Sequence, residues 1–468
     1  WLIATSSGSV SDLFSNIRYE GHPCLWYLVL FIASKISSNI VMMQSIHLCI
    51  AISTVYLIFK YAPFKTIEKV LLVFGYFFLY EYCVISRNYA ISVLLITLLC
   101  ISSRRNNRMG MVEGILLFAL CNTNIYGAFI AGVFSLYILL MMYEHRNDSS
   151  YLIKSLVPSA FIVAGFISLY VQVRPASLMQ YNEYYKWNRG FDLIHLRDTI
   201  AKLFDVYFPV PSFRVSGSFG KNIVADAPLV KSIIALVAFA LACVTLKKNH
   251  ALLILYAAGT TAILGVLYFN THTSLRHEGF LFLLLVIVMW FYRNARDSTK
   301  SAGTFSNRFF MFILIIQCIG GCIAIGKEIA YPFSNLQAAG RFVVSNEYDK
   351  VDISGLPDYV ISPISAFTHK PVYSAETGTL IRFIRWNDER EESNDAIVKI
   401  FARADSLVKN GMSKAIIVLN KGLVDSLQQP LESFPINDSA LVTFAKKFDK
   451  PSLVADEKYY FYEVTKRK

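Results

Sequence analysis

Charged side chains are scarce in this chain of 468 residues, because Asp, Glu, Lys and Arg together make up only 17% of it. Hydrophobic residues account for 55%, and the mean hydropathy is +0.45. A soluble protein of average composition is far more polar than this. The shortage of charge therefore excludes an ordinary soluble enzyme and predicts a protein that crosses a membrane several times.

Cysteine is missing from the long polar stretches. All eight Cys residues lie in or at the edges of apolar segments, and none lies in residues 174–228 or 327–468. A disulfide framework like that of small secreted domains is therefore not expected. The isolated histidines lack the spacing of metal ligands, and residues 327–468 contain no nucleotide-binding glycine motif.

Acidic residues are fewer than basic ones, 33 against 45, which gives a formal net charge of +12. The basic residues gather in short loops between apolar segments, and they are Arg104, Arg105, Arg108, Lys247, Lys248, Arg293, Arg296, Lys300 and Arg308. This is the positive-inside pattern of membrane proteins, so it marks cytoplasmic loops and does not indicate a nucleic-acid partner.

Eleven apolar stretches recur along the first 326 residues. They cover residues 23–36, 40–59, 67–85, 88–102, 110–121, 125–143, 156–173, 229–246, 251–269, 279–292 and 309–326. Several are shorter than the roughly 20 residues that a helical span needs. The pattern predicts an all-α polytopic membrane bundle of about 10–11 apolar segments.

Residues 1–326 are predicted to form the membrane domain, with outer loops at 1–22, 174–228 and 270–278. The chain begins at Trp1 without a signal-peptide pattern, which predicts that a first membrane helix lies upstream. Counting back from the cytoplasmic loops places residues 20–23 inside if the segment 23–36 crosses fully. That segment is short enough, however, to dip into the membrane or pair with its neighbour.

Residues 327–468 are predicted to form a small extracytoplasmic α/β domain. Short strands are expected in VDISGLPDYVIS and SKAIIVL. Helices are expected in NDAIVKIFARADSLVKNG and in the region from Asp425 to Phe434.

A polar cluster stands directly before the first apolar stretch, in IRYEGHPCLWYLVLF. It contains Arg18, Glu20 and His22, followed by Pro23. A carboxylate and an imidazole at the start of a membrane helix can take a proton from a hydroxyl or hold a phosphate. The alternative is a solvated polar end with proline in the first turn of a helix.

Three further polar clusters adjoin apolar segments. They are Arg87, Asn88 and Tyr89 in ISRNYAI; Arg276, His277 and Glu278 in SLRHEGFLF; and the aromatic run YNEYYKWNRG at 181–190. Arginine suits phosphate because its planar fork donates two parallel hydrogen bonds, and aromatic rings offer faces for a sugar. The alternatives are an arginine that snorkels to the headgroups, a simple polar loop and an interfacial aromatic belt.

Three of these runs resemble motifs of the GT-C glycosyltransferases, a superfamily that includes protein O-mannosyltransferases and the lipid A aminoarabinose transferase. Their loop-to-helix junction has a His-Pro followed by aromatic and apolar residues, which IRYEGHPCLWYLVLF resembles. SRNYAISVLL resembles an Arg-containing aromatic turn of the same proteins, and RHEGFLF resembles a late outer loop of the bacterial members. The resemblance covers about residues 1–326.

The resemblance implies a multi-pass enzyme of the bacterial cytoplasmic (inner) membrane. Such an enzyme takes a sugar from a polyprenyl-phosphate donor and transfers it, with inversion, to a hydroxyl of a glycan, lipid or protein acceptor at the outer face. A divalent metal ion is a candidate cofactor because phosphate is handled, although no carboxylate cluster argues for one.

The general base of this superfamily is usually an Asp in an acidic pair upstream of the His-Pro, and no such pair is present here. Either the base lies upstream of Trp1, or Glu20 acts as the base beside His22. For the donor phosphate and sugar the resemblance suggests a set of binding residues. They are Arg18, Arg87, Tyr89, Arg276 and His277.

Two other functions remain open from the sequence. A lipid-linked glycan polymerase or ligase would share the polyprenyl substrate, and the long loop 174–228 fits its need for a large outer loop. A transporter of lipids or glycans would also place polar clusters in a helical bundle. No matching halves are apparent in the sequence, however, and the polar clusters gather at one face.

Overall fold

The computed structural model describes residues 1–106, 110–174, 190–214, 220–270, 273–296, 304–386, 395–424, 429–436 and 439–467. The helices of the first part are α1 Leu2–Ser6, α2 Val10–Ile17, α3 Leu25–Ser34, α4 Ile40–Tyr61, α5 Thr66–Val73, a π-helical segment Tyr76–Val84, α6 Tyr89–Asn106, α7 Met111–Cys121, α8 Ile125–Glu144, α9 Ser149–Val173, α10 Leu193–Tyr207, α11 Pro228–Leu246, α12 His250–Phe269, α13 Leu275–Glu278, α14 Phe280–Arg296 and α15 Thr304–Ala330. The C-terminal part contains α16 Leu336–Ser345, α17 Asp358–Ile361, α18 Ser365–Thr368 and α19 Ala396–Lys409. Its strands are β1 Ile353–Leu356, β2 Val372–Ser374, β3 Thr379–Ile381, β4 Lys414–Leu419, β5 Ser433–Pro435, β6 Ala440–Phe448 and β7 Tyr459–Lys466.

Within the described residues, seven helical stretches are long and apolar enough to cross a membrane. They are Ile40–Tyr61, Ile125–Glu144, Ser149–Val173, Pro228–Leu246, His250–Phe269, Leu275–Ala295 and Phe305–Ala330. Shorter apolar helices accompany them at Leu25–Ser34, Tyr89–Ser103 and Met111–Cys121. The prediction of several long apolar helices is therefore confirmed by their length and composition.

The stretch Leu275–Ala295 lies at the centre of the bundle, because 83% of its apolar window is buried, against 17% for α4. Helix α4 instead exposes large apolar side chains such as Val41, Ile52 and Tyr56, each more than half exposed. An apolar helix face without protein neighbours fits contact with lipid. The bundle therefore has an inner helix and a lipid-compatible outer helix.

The structure adds detail to two of the predicted segments. The apolar stretch 67–85 is not continuous, because helix α5 ends at Val73 and the chain turns at Phe74 and Gly75 before the π-helical segment. Helix α15 lies directly against this break, where a Cβ on Gly321 would sit 2.3 Å from the Phe74 carbonyl oxygen. The predicted outer loop 1–22 contains the helices α1 and α2, whose buried Ile3, Leu13 and Ile17 pack on α3.

The C-terminal part forms one sheet of seven strands in the order β3-β2-β1-β4-β7-β6-β5. Strand β1 pairs in parallel with β2 and β4, whereas the remaining pairs are antiparallel. The two expected strands and the helix α19 are present, which confirms a mixed α/β region. A helix was expected from Asp425 to Phe434. In the described part of this region, from residue 429 onward, that prediction is wrong, because Ser433–Pro435 is strand β5 paired with β6.

The C-terminal part is attached closely to the end of α15. The Leu453 and Val454 amides donate to the carbonyls of Pro332 and Phe333, at 3.1 and 2.9 Å. A second contact joins it to the N-terminal helices, where the Arg385 guanidinium donates to Asn16 Oδ1 at 3.0 Å. These contacts leave a cleft between the bundle and the sheet.

Candidate functional site

The cleft has a volume of about 1030 Å³ and contains four of the seven predicted site residues, Glu20, His22, Arg87 and Tyr89. One end of the cleft is lined by apolar side chains of α3 and α4, including Leu30, Ile40, Val41 and Met43. Its opposite side comes from the C-terminal part and includes Phe333, Phe367, Phe383 and Trp386. Clefts with apolar and aromatic walls and a few polar groups are typical ligand sites.

Helix α3 begins at a fixed place because its first amides are bonded by other helices. The Cys24 amide donates to Gln172 Oε1 at 2.8 Å, and the Leu25 amide donates to the Asn122 carbonyl at 3.0 Å. These partners satisfy donors that a helix start leaves open. The turn before α3 is thereby anchored at the mouth of the cleft.

Gly21 allows that turn to reverse, because its φ of +64° is a left-handed conformation that glycine adopts without strain. His22 can then fold back, so that its Nδ1 donates to the Glu20 carbonyl at 2.6 Å. A carbonyl only accepts, so the Nδ1 atom carries a proton. Burial lowers the pKa of His22, with help from the charges of Arg87 and Arg276, so the ring is neutral at pH 7 and its Nε2 has a lone pair.

The Glu20 carboxylate lies 3.4 Å from the Tyr27 hydroxyl, which donates to it. Burial raises the pKa of Glu20 to about 7, although the Tyr27 hydrogen bond acts in the opposite direction. A carboxyl group with such a pKa is well matched to accepting a proton near neutral pH. This property fits Glu20 for the predicted role of a general base, and that role stays a prediction.

Arg87 lies on the short connection between the π-helical segment and α6. The next residue, Asn88, is buried and donates to the Thr123 carbonyl at 3.1 Å, which holds this connection in place. Arg87 itself reaches solvent through the cleft. The surrounding protein and the nearby charge of Arg276 lower the pKa of Arg87, yet a guanidinium keeps its charge. The cleft therefore contains a fixed cation.

His277 lies behind the cleft and supports Tyr89. Its Nδ1 accepts from the Ser274 amide at 3.2 Å, so its Nε2 carries the proton and donates to the Tyr89 hydroxyl at 2.7 Å. The His277 ring also stacks on Tyr126, with 5.0 Å between ring centroids. Since Nε2 donates in this bond, the Tyr89 hydroxyl oxygen accepts, and the buried Tyr89 side chain is held in position at the lining of the cleft.

Arg276 and His277 do not line the cleft, whereas Arg18 is exposed at the end of α2 and lies outside it. The Arg276 carbonyl accepts from the Tyr82 hydroxyl at 2.9 Å, which fixes the backbone beside His277. The structure thus brings Glu20, His22, Arg87 and Tyr89 together directly, with Arg276 and His277 behind them. The aromatic run at 181–190 lies outside the described residues except for Gly190.

Sequence reasoning missed two carboxylates beside the site. Glu81 is 1% exposed and accepts from the Tyr76 hydroxyl at 2.9 Å, while its Oε2 is buried without a partner among the described residues. Glu328 lines the cleft and accepts from the Tyr80 hydroxyl at 2.9 Å. A single Glu inside the apolar run YFFLYEYCV was the signal for Glu81, because a membrane-depth carboxylate is costly unless it is used.

No group of three His, Cys, Asp or Glu side chains suited to a metal ion occurs within the part of the chain that the structure describes. The expectation of a divalent ion stays a prediction.

The chain matches no protein-family model and no curated protein sequence. The resemblance to GT-C glycosyltransferases therefore stays a prediction from the three motifs.

Proposed function

We propose that this protein is an inverting glycosyltransferase that moves a sugar from a polyprenyl-phosphate donor to an acceptor hydroxyl at the outer face of a bacterial inner membrane. The observation that carries the proposal is the single cleft in which a carboxylate, a cation and an apolar end meet. A polyprenyl-phosphate sugar presents the matching groups in the same molecule: an isoprenoid tail, an anion and a sugar ring.

The apolar end supports the tail. The apolar lining of the cleft continues from Leu30 on α3 to Ile40, Val41 and Met43 on α4, and the outer face of α4 is lipid-compatible. A polyprenyl chain could therefore remain among lipids while its phosphate enters the cleft. Apolar contact of this kind contributes roughly 0.8 kcal/mol per buried methylene.

The cation supports the phosphate. Arg87 provides the planar fork that suits phosphate oxygens, and the His22 Nε2 lone pair beside it can accept a hydrogen bond from a sugar hydroxyl. Charge develops on the donor phosphate as the glycosidic bond breaks, and a fixed cation stabilises that charge more than it stabilises the ground state.

The proposed reaction is a direct displacement. The acceptor hydroxyl oxygen forms a bond to the anomeric carbon, and the bond from that carbon to the phosphate oxygen breaks. Polyprenyl phosphate leaves with the bonding electron pair, and the hydroxyl proton passes to the Glu20 carboxylate. Attack and departure on opposite faces invert the anomeric centre.

The test uses the full-length protein in detergent with polyprenyl-phosphate sugars, and it follows loss of the lipid-linked sugar by mass spectrometry. Arg87→Ala should abolish donor consumption while the protein stays folded. Arg341→Ala is the matched control, because Arg341 is exposed on α16 and does not line the cleft.

Undiminished turnover by Arg87→Ala would refute the role of this cation. Absence of turnover with every donor, combined with tight lipid binding by the unaltered protein, would refute the transferase and favour a transporter.

A further inference from the structure

The side of the cleft that the helical bundle supplies differs in chemistry from the side that the C-terminal part supplies. We call the latter the aromatic wall and define it by Phe333, Phe367, Phe383 and Trp386, which line the cleft and are each half-buried. Polar groups stand among these rings, namely Ser334, Gln337 and Ser362. Within the described lining that the C-terminal part supplies, no side chain is charged.

The wall is built rather than incidental, because specific contacts hold its rings in position. Phe367 packs flat on α16 at Gly340, where a Cβ would lie 2.5 Å from the ring. The Ser365 hydroxyl, two residues earlier, donates to the Arg382 carbonyl at 2.8 Å and so ties α18 to the segment that bears Phe383. Any residue larger than glycine at position 340 would displace Phe367.

A second set of contacts fixes the segment from Phe383 to Trp386. The Arg385 side chain donates to Asn16 Oδ1 at 3.0 Å on α2, and Phe383 packs against the cluster formed by α1, α2 and α3. Phe383 is thus held between the two parts of the protein. Aromatic groups positioned in this way lose little conformational freedom when they bind a ligand.

This composition selects the class of ligand. An anionic group would find no cation in the lining of the wall, since Arg385 beside it is bonded to Asn16, and a lipid tail would gain nothing from an amide and hydroxyls. A neutral sugar matches both features, because its C–H faces pack on aromatic rings while its hydroxyls bond to amides and hydroxyls. The wall also belongs to residues after Ala330, beyond the last membrane-capable helix, where a water-soluble group would lie.

We propose that the aromatic wall is a binding subsite for a neutral glycan, which serves as the acceptor of the transfer. The acceptor role rests on the proposed function, whereas the binding of glycan does not. The cleft then holds donor and acceptor side by side, with the anion at Arg87 and the glycan on the rings of Phe367 and Trp386.

The binding test uses the full-length protein in nanodiscs with chitotriose, maltotriose and mannotriose as neutral probes and trigalacturonate as the acidic comparison. Affinity is measured by tryptophan fluorescence and by saturation-transfer NMR. At least one neutral trisaccharide should bind, and trigalacturonate should not. Trp386→Ala and Phe367→Ala should each weaken binding about tenfold, which is what loss of one stacked ring costs.

Two variants separate stacking from folding. Trp386→Phe keeps an aromatic ring and should retain most of the affinity. Phe213→Ala removes a ring that is 70% exposed and lies outside the cleft, so it should bind sugars as the unaltered protein does. If no neutral probe binds, or if Trp386→Ala and Phe367→Ala bind unchanged, the wall is only a packing surface and the proposal is wrong.

A product assay distinguishes failure of this inference from failure of the proposed function. Donor consumption that continues in Trp386→Ala, with less glycan product and more free sugar, supports the acceptor role. Unchanged glycan product in that variant overturns the acceptor role while the transferase stands. Sugar binding without any donor consumption overturns the transferase and leaves the subsite.

Discussion

Glu20 is the residue whose environment most affects the proposed chemistry. Its carboxyl group lies in the cleft and accepts from the Tyr27 hydroxyl, while its backbone carbonyl accepts from the neutral His22 ring. Burial disfavours the charged form, which is why the pKa of Glu20 is raised from 4.5 to about 7. A base with this pKa can both accept and release a proton within the physiological pH range.

We expect the transfer rate of the unaltered protein to rise as pH increases through about 7, because Glu20 must be ionised to accept the hydroxyl proton. Glu20→Gln should be inactive at every pH, while its helical content by circular dichroism stays unchanged. Glu347→Gln is the matched control, because Glu347 is exposed and should leave the pH profile as it was.

The same pKa shift predicts a stability effect of known sign. Between pH 4.5 and about 7 the folded protein holds a proton on Glu20 that the unfolded chain has released. Stability from this group is thus present below pH 4.5 and is lost as pH rises to about 7. The melting temperature relative to Glu20→Gln should fall across this window, and a rise would contradict the buried, protonated carboxyl.

At the scale of elements, a buried ion pair joins α5 to α14. The Arg293 guanidinium donates two hydrogen bonds to the Glu68 carboxylate, at 2.8 and 3.0 Å, and the Glu68 side chain is only 1% exposed. The Lys65 amide donates to the same carboxylate at 2.8 Å, which caps the start of α5. Arg293 therefore has a packing role in addition to the positive-inside role that the sequence indicates.

Removing one member of this pair should destabilise the bundle. Arg293→Leu leaves the Glu68 charge buried, which typically costs about 3–5 kcal/mol of unfolding free energy. Adding Glu68→Gln to the same chain should recover most of the loss, because no unpaired charge remains. Thermal unfolding in detergent measures both, and Lys350→Ala, which breaks an exposed pair with Glu347, should leave the stability nearly unchanged.

An equal loss in the single and double variants would show that Arg293 acts only through packing of its side chain.

These elements also show which features local sequence could predict. The apolar runs 40–59 and 125–143 predicted the ends of helices α4 and α8 closely, because length and hydropathy are local properties. The pairing of Glu68 with Arg293 could not be predicted, since 225 residues separate them. The turn at Phe74 and Gly75 was also hidden, because the close approach of α15 that it permits is a tertiary contact.

The candidate site was predictable only in part for the same reason. Glu20 and His22 lie close together in the sequence, and their position just before Pro23 and an apolar stretch marked them. Their meeting with Arg87 in one cleft depends on tertiary packing, and the aromatic wall comes from residues more than 300 positions after Glu20. Nothing in the local pattern at Phe367 or Trp386 distinguishes a cleft residue from a core residue.

At the scale of the whole molecule, the proposal requires the cleft and the sheet to face the outside of the cell. The basic loops, such as the one with Lys247 and Lys248 between α11 and α12, should then face the cytoplasm. In intact cells, Ser345→Cys should react with a membrane-impermeant maleimide, because Ser345 is exposed at the end of α16. Lys248→Cys should react only after the membrane is opened.

Labelling is measured relative to the unaltered chain, whose exposed Cys49 and Cys322 lie on membrane-capable helices and set the background. The reverse pattern, with Lys248→Cys reactive in intact cells, would place the cleft in the cytoplasm. A polyprenyl donor at the outer face could not then reach Arg87, so the orientation of the molecule decides whether the proposed substrate and the cleft can meet.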